Sequence, residues 1–259
     1  MARIPALFVS HGAPTLPLDG IPARDFLEGA AAQWPRPTAI VVVSAHAAGR
    51  GVWVGRSAHH TAWHDFSGFP EALNDLHYDC PGDPELADFL IGHLRESGIQ
   101  AGAQTDVRLD HGVWVPLLLM YPDAKVPVVT VSLDLGRSDG AQVELGRLLA
   151  TLRDQQVLVM GSGSLTHNLR EVWSHQINDA PEAYALEFAD WVEATLAAGD
   201  VEAIKDWRQQ APHAQRCHPT PEHFLPLLVA LGAGDSGRGL ALHRSFSFGV
   251  LAMDAYAFD

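Results

Sequence analysis

The chain has 259 residues, 17 Lys+Arg against 31 Asp+Glu, and a formal charge of −14. With 47% hydrophobic and 19% charged residues it has the composition of a folded globular protein, which excludes wholesale disorder. The acidic balance argues against nucleic acid or an anionic membrane as main partner, and no apolar run approaches the ~20 residues of a membrane span. Two cysteines, Cys80 and Cys217, need no disulfide framework. The apolar part of the opening MARIPALFVSHG is too short for a signal peptide. A soluble cytoplasmic protein is expected, read as one domain over residues 1–259; a homo-oligomer rests on base rate alone.

In chain order, Ala6–Ser10 (ALFVS) reads as a buried strand and Ile21–Gln33, with Pro22 in its first turn, as a helix. Ala39–Ser44 (AIVVVS) is a second buried strand, and the alternating Gly51–Gly55 an edge strand. Pro84–Ser97 reads as a helix capped by Asp83 and closed by Gly98. An apolar helical stretch, VWVPLLLMY, follows Asp110-His111-Gly112. Val126–Leu133 and Val157–Met160 are further buried strands, and Ala141–Arg153 and Pro181–Ala197 amphipathic helices. Phe224–Leu231 is a short helix. Ala241–Gly249 and Val250–Ala257 read as a closing hairpin. This alternation predicts an α/β fold: a mostly parallel central sheet covered by helices on both faces, with an antiparallel edge.

The 14 histidines stand out. In an open parallel sheet, functional groups gather beyond the carboxyl ends of the strands. Three strands run out into a histidine there: His11 in SHG, His46 in SAH and His167 in GSGSLTHN. His111 sits at a helix start, and His223 follows the stiff HPTPE segment at another. Imidazole is a good donor to Zn²⁺ and Fe²⁺, and a few such ligands around an open position make a catalytic centre. The long spacings carry no local metal signature. The run Gly161–Ser164 is small and flexible, suiting close approach of a ligand or metal. His59 and His60 are expected in exposed loops, and Cys217 either as a spectator or close to the site. The Gly232–Gly237 run fits G-x-G-x-x-G but follows a helix, the wrong context for a dinucleotide.

SHGAP, SAH, HDFSGFP, LDHGVWVPL, GSGSLTHNL and HPTPEHFLPLL occur in this order across residues 10–228. Together they resemble the DODA-type extradiol aromatic ring-opening dioxygenases, the 4,5-DOPA dioxygenase branch of the LigB-like enzymes. The resemblance implies a mononuclear metal and O₂-dependent cleavage of a catechol ring beside its two hydroxyls. By position it implies His11, His46 and His223 as ligands, with His167 at the metal or just outside it. His111 and His167 would be the acid/base groups. Glu222 is the alternative to His223 as ligand. The implied metal is Fe²⁺ in turnover, with Zn²⁺ an alternative occupant as isolated. His64 and Trp114, with Phe69, are expected around the substrate. Family members often carry Trp after the second motif where this chain has Ala47, which leaves pocket shape open. A zinc-dependent hydrolase on the same histidines is the competing reading. Arg170 and Arg216 are the candidates for meeting a negative substrate side chain.

Overall fold

The computed structural model describes residues 3–259. Six strands form the main sheet: β1 (Ala6–Ser10), β2 (Ala39–Ser44), β3 (Val128–Thr130), β4 (Val157–Gly163), β5 (Leu240–His243) and β6 (Ala255–Phe258). Their order is β5-β6-β1-β4-β2-β3. The β1–β4, β4–β2 and β2–β3 pairs are parallel, whereas β6 runs antiparallel to β1 and β5 antiparallel to β6. β1, β2 and β4 are buried along their whole length, which is why their sequences are continuous rather than alternating runs.

The helices that cover the sheet are α1 (Pro22–Ala30), α2 (Pro84–Glu96), α3 (His111–Met120), α4 (Asp139–Leu149), α5 (Ala183–Ala198) and α6 (Leu225–Ala233). Local chemistry sets their ends. The Asp83 side chain accepts from Leu86 N at the start of α2, and Gly98 takes φ +82° just after its end. Short helical turns at 201–205, 207–210 and 214–217 escape the periodicity argument, being too short to show a period.

β4 is where the two faces of the sheet meet the site. Successive side chains of a strand alternate between faces. Gly161 and Gly163 turn toward α6, where an added Cβ would strike the carbonyl oxygens of Pro226 and His223. Ser162 turns the other way and donates its hydroxyl proton to Gly112 O at the start of α3. Gly161 and Gly163 therefore admit the backbone of α6 and of His223 just before it, whereas Ser164 lines the cavity. β4 also runs through Gly163, beyond the expected Met160, because the parallel ladder to β1 continues to the Ser10–Gly163 pair.

Two further expectations are corrected. Val52–Gly55 is not an edge of the main sheet but pairs in parallel with Ala101–Gln104 as a separate ribbon. Gly102 permits this, since a Cβ there would lie 2.6 Å from the Trp53 ring. The closing segment is no simple hairpin: its register shifts between Ala241 and His243, and Phe246–Ser247 pairs separately with Leu251–Ala252.

Candidate metal centre

Three chain crossings bring the histidines together. His11 follows β1, and its N–H donates to Gly163 O at 2.9 Å, extending the ladder by one residue. Ala45 N donates to Ser162 O at 2.9 Å, which fixes the exit of β2 and so His46. The His223 carbonyl accepts from Ser164 N at 3.0 Å, tying the approach to α6 onto the end of β4. Ring centroids lie 4.8 Å apart for His11–His46, 5.1 Å for His46–His223 and 5.5 Å for His11–His223.

Each of these rings has its Nδ1 occupied. His46 Nδ1 donates to Asp110 Oδ1 at 3.1 Å, and that oxygen also accepts from Ser44 Oγ at 2.7 Å. His223 Nδ1 donates to Glu222 Oε1 at 3.3 Å. His11 Nδ1 faces Ser162 Oγ at 3.0 Å, and because that hydroxyl gives its proton to Gly112 O, His11 is the donor. The tautomers follow from this network. In each ring the proton sits on Nδ1 and the Nε2 lone pair is free, and the Nε2 atoms of His46 and His223 face each other at 3.2 Å. Ligand atoms of His11, His46 and His223 all lie within 4.8 Å of one another. Burial holds His11 well below the ordinary histidine range, with further depression from His46 and His223. Burial also lowers His223, against the opposing pull of Glu222. Imidazoles with converging lone pairs, each oriented by an acceptor on its other nitrogen, suit a divalent transition ion. The residues fit the group.

His111, the first residue of α3, has its ring 4.2 Å from that of His46. Asp65 Oδ1 accepts from both its Nδ1, at 2.9 Å, and its backbone N–H, at 3.1 Å. Burial pushes the Asp65 carboxyl up, but the His111 hydrogen bonds outweigh it and the net shift is downward. His167 stacks flat on His223, centroids 3.4 Å apart, and groups with Glu222 and His223 rather than with His11 and His46. Burial, then His223 and His218, depress it to about 2. Its loop is pinned by His167 N donating to Cys217 O and by His218 Nε2 donating to Leu165 O, both at 2.8 Å. Cys217 thus serves the site through its backbone.

A cavity of about 510 Å³ opens over these rings, with Phe66, Phe69, Leu169 and Trp173 in its wall. His64 and Trp114 do not line it, contrary to expectation. His64 Nε2 faces the carbonyls of Leu73 and Leu76, and buried Trp114 donates to Trp63 O, so both stand behind Phe66. Phe66 takes their place. Nor is His60 an exposed loop residue; it is buried, facing Val107 O and Val128 O. Ala47 lines a different groove, which shares only His46 with the main cavity. Sequence reading passed over Asp65, although it adjoins a singled-out histidine in the HD pair at 64–65.

The profile of the family described as "Catalytic LigB subunit of aromatic ring-opening dioxygenase" matches residues 5–258. The 4,5-DOPA dioxygenase extradiol of Beta vulgaris is 37% identical, covering 97% of this chain and 95% of the relative. That of Escherichia coli K12 is 40% identical, with coverages of 97% and 93%. A crystal structure of an uncharacterized Escherichia coli K12 protein superposes with a TM-score of 0.82 at 32% identity, covering 99% of this chain and all of that one. The hydrolase reading finds no support, since these named relatives are dioxygenases. With a cavity of this form above clustered histidines and relatives matched end to end, the chain belongs to the LigB family and is a metal-dependent extradiol ring-opening dioxygenase.

Proposed function

We propose that the chain, acting as one catalytic domain over residues 1–259, inserts both atoms of O₂ into a catechol beside its diol. His11, His46 and His223 hold one divalent ion, Fe²⁺ in turnover, and Zn²⁺ fits the same imidazoles. The observation that carries this reading is the occupied Nδ1 of all three rings, which leaves three Nε2 lone pairs aimed together beneath an apolar cavity.

Fe²⁺ at this position supplies Lewis acidity toward the diol and the redox link between ring and O₂. The protein supplies the rest. His111 has Nδ1 committed to Asp65, so its Nε2 is the base for the first catechol proton, and the carboxylate stabilises the imidazolium that results. His167 makes no side-chain hydrogen bond among the described residues; it lies along His223 and presents its ring to the cavity. Its role is to hydrogen-bond the oxygen delivered to the ring. Phe66 and Phe69 meet edge to face at 5.4 Å and shield the site from water. The buried, unpaired cysteines suit the cytoplasm as the proposed compartment.

The test is anaerobic loading with Fe²⁺, addition of catechols, then admission of O₂ with uptake and visible absorbance recorded together. One O₂ consumed per catechol, with a new near-visible band that His46→Ala lacks, supports the reading. No uptake in protein shown to hold Fe²⁺ would overturn it.

A further inference from the structure

The cavity carries no charge of its own to meet a charged substrate side chain. Apart from the histidines, no Lys, Arg, Asp or Glu lines it among the described residues. The hydroxyls in its wall are spent: Thr15 Oγ1 donates to Asp19, and Ser164 Oγ to Thr166 O. His175, at the mouth, is engaged at both nitrogens by Glu171 O and Glu182 Oε1, so any charge on it is already met. The two arginines proposed for an anionic substituent are not there. Arg216 forms a two-point pair with Glu171, and Arg170 lies outside the lining.

What the mouth offers instead is apolar. Leu169, Val172 and Trp173 stand at i, i+3 and i+4 on one helical turn, the spacing that puts side chains on a common face. Leu169 is 52% exposed, Trp173 89% and Phe69 40%, an apolar rim left open among the described residues. Phe248 joins the same wall from a backbone at φ +52°, costly for a bulky residue and held by its N–H to Ile177 O. Exposed contiguous apolar surface and a strained aromatic, both on one cavity, mark a binding function.

We propose that the site selects catechols bearing an uncharged apolar substituent, which lies against Leu169, Val172 and Trp173. This rests on the ring-opening reading above and narrows it: a zwitterionic or carboxylate side chain would be desolvated at this mouth without a counter-charge. Arg50 and Arg108 have no carboxylate partner among the described residues, Arg108 lying over the Trp63 ring, but they line the separate groove behind His46 and Asp110.

The experiment compares kcat/KM of the Fe²⁺-loaded protein for 4-methylcatechol, 4-butylcatechol, 3,4-dihydroxyphenylacetate and L-DOPA. Each methylene buried at the rim should raise kcat/KM by up to about fourfold, and 4-butylcatechol should exceed both charged substrates by at least about tenfold. Trp173→Arg should move the ratio toward 3,4-dihydroxyphenylacetate. Equal or better use of the charged substrates by the parent protein would overturn the proposal, and loss of that preference in Arg108→Gln would place the side chain in the groove behind His46. Ligand quenching of the Trp173 fluorescence, taken as the difference from Trp173→Phe, ranks the same compounds without turnover. Failure of ring opening and failure of the side-chain preference are thus read separately: tighter binding of 4-butylcatechol sustains the preference, and tighter binding of the charged compounds ends it.

Discussion

Asp65 Oδ1 binds His111 twice, through Nδ1 at 2.9 Å and through the backbone N–H at 3.1 Å. One carboxylate oxygen thus fixes the first residue of α3 and the tautomer of its ring. A neutral amide in its place would keep the shape and lose the negative charge that stabilises the imidazolium. Asp65→Asn should lower kcat by about 10²-fold while the metal content stays at the parent level. An unchanged kcat, or a loss of metal, would assign Asp65 a merely structural part.

The ligand trio and His167 should separate under mutation. His223→Ala removes one of the converging lone pairs and is expected to abolish metal retention and turnover together. Asp110→Asn, acting on His46 through Nδ1, should weaken metal affinity about 10–100-fold. His167→Ala should keep the ion and lose rate. Metal analysis after gel filtration, read beside O₂ uptake, decides the assignment; a metal-free His167→Ala protein would make that ring a fourth ligand.

Glycine 163 is a volume constraint with consequences at the centre. A Cβ there meets the His223 carbonyl, which also accepts from Ser164 N. Gly163→Ala should cost about 1–3 kcal/mol through overpacking, and each kcal/mol should lower Tm by roughly 2–4 °C in a chain of this size. Metal affinity should fall with it because His223 is displaced. Gly29→Ala, where the added Cβ meets open space, is the control expected to be neutral or slightly stabilising.

A pH dependence of stability is expected at Asp254, whose backbone carbonyl accepts from Ser10 N and Oγ. Asp254 is fully buried, and burial raises its carboxyl to about 6 against the downward pull of Arg244 and Tyr256, with Glu193 adding to the rise. Its unfolded value is about 3.9. The folded state therefore holds the proton more tightly, and the contribution is fully present below the unfolded value and lost as pH rises through 6. Relative to Asp254→Asn, the parent should lose about 2 kcal/mol between pH 4 and 7. Denaturant unfolding of both proteins across that range measures it; a constant difference would refute the shift.

The parallel strands were legible because a strand buried on both faces leaves a short β-branched apolar run whatever surrounds it. Ala6–Ser10 and Ala39–Ser44 have the expected limits for that reason. The helix caps were legible because Asp83 and Gly98 act within a few residues of sequence. The histidines His11, His46 and His167 were legible as strand-exit residues, and the ordered motifs supplied the family. Where sequence reasoning strayed, the deciding partner was distant. Val52–Gly55 has the pattern of an edge strand, but which edge depends on Ala101–Gln104. Trp114 has the composition of a pocket residue, but its indole is turned to Trp63 O behind Phe66.

The sequence by itself determined the order of elements and the kinds of groups available, because burial patterns, caps and imidazole chemistry are local properties. Only the tertiary structure decided which nitrogen of each histidine is free. That depends on Ser162, Asp110 and Glu222 as acceptors, two of them brought from other strands or loops. It decided likewise that Gly161 and Gly163 serve the backbone of α6 and its approach, and that no Lys, Arg, Asp or Glu lines the cavity among the described residues. Those facts arise from contacts between segments far apart in the chain, and no local pattern encodes them.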